Sequence, residues 1–347
     1  MSTFFQFLLN PPKAANIPNP KSAFRNPHLL LLPLVLSILL SAPIAQAQTL
    51  APTPVPAAPA ATPPQDITII RNLPYVPHAA PRQCLDLYIP WQSGPPRPLI
   101  AYIHGGAWRT GSKDNCPARR LVPLGYVAAS IEYRFSQDAP FPAQIEDCKA
   151  AIRWLRAHAR QYNIDPTRIG VWGASAGGHL VALLGVTGQV TDFDIGPNLD
   201  QSSAVQCVVD FFGPTDFLHY GDPAKLDTPG NAVDQLLGGP VATHQALARS
   251  ASPADFVTRD AAPFLILHGD RDPLVPLQQS EELSADLQKA GVECTLRVIP
   301  GAGHGGPGFN APDSQKLIVD FLGSHLKPRL PDKKPPASQW VSGKFLQ

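Results

Sequence analysis

Short apolar runs alternate with amphipathic stretches along most of this 347-residue chain. Leu99–Ile103, Tyr126–Ile131, Arg168–Trp172, Val205–Phe211, Phe264–His268 and Cys294–Ile299 read as strands, most of them apolar at nearly every position. Continuous apolar character is what a strand covered on both faces requires, and it points to a mostly parallel sheet. Between two of them, Ala143–Arg160 sets Ile145, Ala150, Ile152, Trp154 and Leu155 among charges, the pattern of an amphipathic helix. Helices are also predicted from Gly177 through Leu183, over Glu281–Ala290 and over Asp313–Leu322, with one or two helical turns over Pro117–Leu124. The expected fold class is α/β, a sheet with helices on both faces. Val186–Pro263 is the stretch where the alternation becomes irregular, and it reads as loops and small helices beside the site.

The ends of the chain read differently. Lys13, Lys21 and Arg25 precede an apolar run, Leu29–Leu40, broken only by Pro33 and Ser37, and Ala45-Gln46-Ala47 follows as a small-x-small sequence. Residues 1–47 are therefore expected to be a signal peptide cleaved after Ala47, and the protein to be secreted or periplasmic. The run is shorter than the ~20 residues a bilayer span needs, so no stable membrane span is expected after processing. Residues 48–65 are a Pro/Ala-rich linker, 66–326 one domain, and 327–347 a polar tail.

Charge and cysteine content narrow the function. The chain has 28 basic and 27 acidic residues, a net charge of +1, and no basic run interleaved with aromatics, so nothing argues for a nucleic-acid partner. The cysteines include no C-x-x-C pair, and the acids between Asp192 and Asp200 lack the spacing of a calcium loop, so no metal is expected. Cys116 and Cys148 are the expected disulfide, with Cys207 and Cys294 packed on strands and unpaired.

The chemistry sits at strand ends. Gly173-Ala174-Ser175-Ala176-Gly177 is a G-x-S-x-G sequence with an apolar strand before it and a helix pattern after it, the context a strained nucleophile turn needs. Ser175 is the candidate nucleophile. Upstream, His104-Gly105-Gly106-Ala107-Trp108 follows another strand, and its glycines let backbone N–H groups approach a developing oxyanion. The expected donors are Gly106, Ala107 and Ala176, with Trp108 lining the substrate pocket and His104 shaping the loop. A loop after the Phe264–His268 strand carries Asp270 and Asp272, and Asp272 is favoured as the acid. His304, on a glycine-rich loop after the last strand, is the expected base. The order Ser175…Asp272…His304 is that of α/β-hydrolase triads.

These residues carry a resemblance. His104–Trp108, Tyr133-Arg134, Phe141–Lys149, Asp165–Ile169, Gly173–Gly178, Phe212–Asp216, His268–Asp272 and Gly303–Gly305 are similar to the ordered motifs of bacterial α/β-hydrolase esterases and lipases of the BD-FAE and acetyl-esterase type. The likeness runs from about Leu85 to Leu322. It implies an α/β-hydrolase fold with an eight-stranded, mostly parallel sheet, no cofactor, and carboxylesterase activity on small-molecule or carbohydrate-linked esters, among them acetyl and feruloyl esters. Ala107 stands where related lipases often carry a third glycine, and the N-terminal cap of that lipase group is not evident. A prolyl-oligopeptidase-like serine peptidase, which shares fold and triad, is the alternative.

Overall fold

A computed structural model describes residues 67–91, 93–220 and 230–327. The expected signal peptide and linker, and the tail beyond Lys327, lie outside the described residues. The strands are β1 (Ile67–Pro74), β2 (Cys84–Pro90), β3 (Arg97–Ile103), β4 (Val127–Ile131), β5 (Ile164–Ala174), β6 (Cys207–Phe211), β7 (Phe264–Gly269) and β8 (Cys294–Ile299). The helices are α1 (Ala143–Ala157), α2 (Ala176–Val186), α3 (Ala232–Leu237), α4 (Gln245–Ala251), α5 (Leu277–Lys289) and α6 (Pro312–Leu326), with short 3-10 turns such as Pro117–Leu124.

The eight strands form one sheet in the order β1-β2-β4-β3-β5-β6-β7-β8. Neighbours from β4 to β8 run parallel, while β2 is antiparallel to both β1 and β4. This is the α/β-hydrolase fold. Its central strands are the apolar runs of the sequence: β4, β6 and β7 are buried at every position. The edge strands β1 and β8 are only part-covered. No sequence pattern announces β1 and β2, because the first is half exposed and the second interrupts its apolar residues with Asp86.

Strand alternation sorts the core into two layers. Leu99, Ala101, Val127, Ala129 and Val171 pack with α1 and α2 on one face. Ile100, Tyr102, Ala128, Trp172 and Val209 pack on the other, with Leu121 and Val122 of the 3-10 turns and Ile318 and Leu322 of α6. This division overturns the expected disulfide. Cys148 on α1 belongs to the first layer and Cys116 packs against the second, so the sheet stands between them. Bridged cysteines need Cα atoms about 5–6 Å apart. All five cysteines are free.

One face of α1 organises the irregular segment that follows α2. Lys149 Nζ donates to the carbonyls of Thr187 (3.0 Å) and Val190 (2.5 Å) and to Asp194 (3.2 Å). Arg153 bonds Asp194 and the Ile195 carbonyl, and Arg156 bonds the carbonyls of Ser202 and Ala204. The side chains of Lys149 and Arg153 are buried, and Asp194 is ion-paired with both, balancing one of the two charges. Removing one partner of a buried ion pair leaves charge without compensation. Asp194→Ala is therefore expected to cost about 3 kcal/mol of stability, read as a lower urea midpoint with unchanged slope; an unchanged midpoint would show that hydrogen bonds to carbonyls are enough to keep the two cations in place.

Candidate active site

Every predicted site residue lies just beyond the carboxyl end of a parallel strand, where α/β sheets place their ligands. β5 ends at Ala174, and Ser175 turns the chain into α2 with φ 57° and ψ −121°. A non-glycine residue at positive φ is strained. Two glycines make the turn possible, since a Cβ on Gly173 would overlap the Gly177 carbonyl and one on Gly177 would overlap the carbonyl of Ile103. The Ser175 amide donates to the Phe211 carbonyl (2.8 Å), and the His179 amide donates to the Ser175 carbonyl (2.9 Å). The turn is thereby fixed to β6 on one side and to its own helix on the other.

His304 reaches over from the loop after β8. Its Nε2 lies 2.8 Å from Ser175 Oγ and its Nδ1 lies 2.7 Å from Asp272 Oδ2. A carboxylate only accepts, so Nδ1 carries the proton and Nε2 offers its lone pair to the hydroxyl. The ring of Phe212, at φ 44°, lies against His304 with centroids 4.5 Å apart. Asp270 is elsewhere: its Oδ1 accepts from the Gly301 amide (2.6 Å), tying the loop after β7 to the loop after β8.

Asp272 is held from behind. Oδ1 accepts from the amides of Leu274 (2.8 Å) and Val275 (3.0 Å). His268 Nε2 donates to the Val275 carbonyl (3.0 Å) with Asp272 Oδ2 at 3.4 Å, and Ser280 Oγ donates to its Nδ1 (2.7 Å). Burial raises the Asp272 pKa, but the hydrogen bonds from His268, His304 and the two amides outweigh it and hold the carboxyl well below its usual range. A depressed carboxylate pKa contributes stability that is present above the unfolded value of about 4 and lost only as pH falls below it.

The His104–Trp108 loop approaches the same place. Gly106, Ala107 and Trp108 all have positive φ, at 119°, 53° and 56°. The loop closes on itself, with the Gly106 carbonyl accepting from the amides of Arg109 (3.1 Å) and Thr110 (3.0 Å). The amides of Gly106, Ala107 and Ala176 have no acceptor among the described residues. His104 stacks on Tyr133 with centroids 4.6 Å apart, its Nδ1 donating to the Gly105 carbonyl (2.7 Å), so it does shape the loop. Trp108 lines the site cavity yet is only 4% exposed, and its Nε1 donates to His179 Nδ1 (3.1 Å). The cavity measures about 360 Å³ and brings together Ser175, His304, Ala107 and Ala176. Tyr220, Val233, Leu274 and Val275 give it largely apolar walls.

Sequence reasoning assigned no role in the site to His179, read as an ordinary core or surface residue, nor to His268, Phe212 and Asp210. The strand-end rule that selected Ser175 and His304 would have found His268 and Phe212, which stand at the ends of β7 and β6. His179 and Asp210 are buried polar residues inside apolar runs, a signal in itself. Burial pushes the Asp210 carboxyl up to about 6, against the opposing effects of the Gly213 amide on Oδ1 (3.0 Å) and of His268. Its Oδ2 has no partner among the described residues. An acid whose folded pKa is raised holds its proton longer in the folded state, so stability falls as pH rises from about 4 to about 6, and the deficit persists above. Asp210→Asn removes the charge. It is expected to gain about 1–3 kcal/mol at pH 8 and nothing near pH 4, measured as the difference in melting temperature at the two values.

Among the described residues no group of three His, Cys, Asp or Glu could hold a metal, and no helix is long and apolar enough to cross a membrane. Comparison with known proteins gives concordant relatives. Esterase LipC of Mycobacterium tuberculosis is 33% identical over 214 residues, 60% of this chain and 53% of that protein. The chain spans about half the length of the mycobacterial esterases it matches. A solved truncated carbohydrate esterase from gut microbiota is 32% identical with a TM-score of 0.70, over 77% of this chain and 99% of the other. The acetyl ester-xyloside bifunctional hydrolase from Caldicellulosiruptor lactoaceticus is 25% identical with a TM-score of 0.61, over 77% and 98% of the two chains. The sequence profile of the family described as BD-FAE matches residues 85–287. That span takes in the His104–Trp108 loop, the Ser175 turn and Asp272, and over more than half its length the chain belongs to the BD-FAE family of α/β hydrolases.

Proposed function

We propose that this protein is an exported serine carboxylesterase that hydrolyses acyl esters through an acyl-enzyme. The observation that carries the reading is the unbroken line from Ser175 Oγ through His304 to Asp272, at 2.8 and 2.7 Å, opening on a cavity beside amides that have no acceptor among the described residues. Ser175 Oγ attacks the ester carbonyl carbon while its proton passes to His304 Nε2. The carbonyl π electrons move onto oxygen, and the amides of Gly106, Ala107 and Ala176 receive the oxyanion. The tetrahedral intermediate collapses, the C–O bond to the alcohol breaks, and the alcohol takes the proton from His304. Water then repeats the sequence on the acyl-enzyme, releasing the acid and restoring Ser175. Asp272 holds the tautomer throughout and balances the imidazolium.

Carboxylic esters whose acyl group fits a cavity of about 360 Å³ are the proposed substrates, including acetyl or feruloyl esters of carbohydrates. The modest, apolar cavity supports the acyl side. Likeness to proteins named as a carbohydrate esterase and an acetyl ester-xyloside hydrolase supports the alcohol side. Export to the periplasm or medium, with cleavage after Ala47, rests on the sequence of residues 1–47. The test sets p-nitrophenyl acetate, butyrate and octanoate beside a prolyl amide and maps a fluorophosphonate adduct by mass spectrometry. Ester turnover well above amide turnover, with the adduct on Ser175, is expected. Dominant amide turnover would favour the prolyl-oligopeptidase-like alternative, and an adduct elsewhere would remove Ser175 from the chemistry.

A further inference from the structure

The proposed oxyanion site is assembled from two separate pieces of chain. Ala107 belongs to the loop after β3, and Ala176 opens α2 after β5. No strand pairing reaches from one to the other at this level, since both lie beyond the last β3–β5 pair, Ile103 with Gly173. Amides aimed at one oxygen lose most of their effect if the two pieces drift by a fraction of an ångström. Glycines let the two pieces touch, since a Cβ on Gly105 would overlap the Ala174 carbonyl and one on Gly177 the Ile103 carbonyl, but these contacts carry no directional bond that fixes how the Ala107 loop is set against α2.

The residue after Ala107 and a residue one turn into α2 meet directly. Trp108 Nε1 donates to His179 Nδ1 at 3.1 Å, and His179 Nε2 donates to the Ala251 carbonyl at the end of α4 at 2.7 Å. An indole N–H can only donate and a carbonyl can only accept. The two bonds therefore require one protonation state: neutral imidazole with its proton on Nε2. Burial favours that state, pushing the His179 pKa down to about 4 against the opposing Ala251 bond. The ring planes of Trp108 and His179 are nearly perpendicular at 5.2 Å, and Phe217 packs against both. His179 is completely buried, so it cannot be a group that meets substrate directly.

We infer that the Trp108–His179 hydrogen bond is the spacer of the oxyanion site, holding the Ala107 loop at a fixed distance from the Ala176 end of α2. His179 is a positioning residue, and Trp108 is one through its indole N–H as well as a wall of the cavity. The inference rests on the esterase reading and deepens it. The bond acts on the geometry of the tetrahedral state, so its loss lowers kcat and leaves KM nearly unchanged.

The test uses the full-length mature protein, p-nitrophenyl acetate, and an aryl trifluoromethyl ketone that adds to the serine as a tetrahedral oxyanion. Trp108→Phe keeps an aromatic ring against Phe217 and removes the donor together with part of the cavity wall, so the His179→Asn and His179→Ala pair, which leaves that wall intact, separates the two effects. Its kcat should fall by about 10–100-fold, somewhat less than deletion of a whole oxyanion donor, and its ketone Ki should rise in parallel while KM moves less than about threefold. His179→Asn, whose amide oxygen can accept in place of Nδ1, should retain more kcat than His179→Ala, and this pair serves if Trp108→Phe does not fold. Unchanged ketone affinity in Trp108→Phe, a loss confined to KM, or equal kcat in the Asn and Ala variants would overturn the spacer. Failure of the wild-type protein itself to hydrolyse the ester or bind the ketone would overturn the esterase reading instead.

Discussion

Ser175→Ala is expected to lower ester turnover by about 10⁵–10⁶-fold with almost no change in stability. The loss is large because the variant has no oxygen to form the acyl-enzyme, and the water that His304 would activate in deacylation has no acyl-enzyme to attack. What remains comes from the cavity and the amides of Gly106, Ala107 and Ala176, which can still polarise a bound ester toward water. Stability is spared because the strain at φ 57° belongs to the Cβ, which alanine keeps, and because the turn is held by backbone bonds to Phe211 and His179. The hydroxyl itself bonds His304 at the cavity rather than in the core. Parallel measurement of kcat with p-nitrophenyl butyrate and of melting temperature checks both halves. Activity within a few-fold of wild type would end the serine mechanism, and a collapsed melting temperature would give Ser175 a structural role.

The second large effect separates two aspartates that stand two residues apart. Asp272→Asn should reduce kcat by about 10⁴-fold, while Asp270→Asn should leave it within about threefold. In Asp272→Asn the amide can still accept at Oδ1 from Leu274 and Val275, so the loop keeps its shape. Its NH₂ group then faces His304 Nδ1, which must accept; the proton moves to Nε2, and the base can no longer take the Ser175 proton. Asparagine at 270 retains the oxygen that the Gly301 amide needs and touches neither His304 nor Ser175. A reversed order of the two losses would transfer the acid role to Asp270.

How much of this site was legible beforehand varies residue by residue, for physical reasons. The turn at Ser175 was readable because its demands are local: an apolar strand, a helix, and glycines where side chains would collide. His304 was readable because a histidine on a glycine-rich loop after the last strand has few other uses. The central strands were readable because burial on both faces forces every position to be apolar. By contrast β1 and β2 lie at the antiparallel edge, where half-exposed positions and the ion-paired Asp86 blur the pattern. Trp108 looked like a pocket residue and is one, but nothing in its neighbourhood of sequence points to His179, 71 residues away.

The amino-acid sequence by itself determined the α/β class, the parallel centre of the sheet, and which strand ends carry Ser175, Asp272 and His304, the proposed nucleophile, acid and base. Those properties follow from periodicity and sterics acting over a few residues. Only the tertiary structure decided which aspartate meets His304, because one loop's hydrogen bonds to Leu274 and Val275 aim Asp272 inward while Gly301 draws Asp270 away. Only it decided that Cys116 and Cys148 stay apart, because strand alternation sends their packing to opposite faces of the sheet. And only it joined Trp108 to His179, since contacts between distant segments depend on how the elements pack.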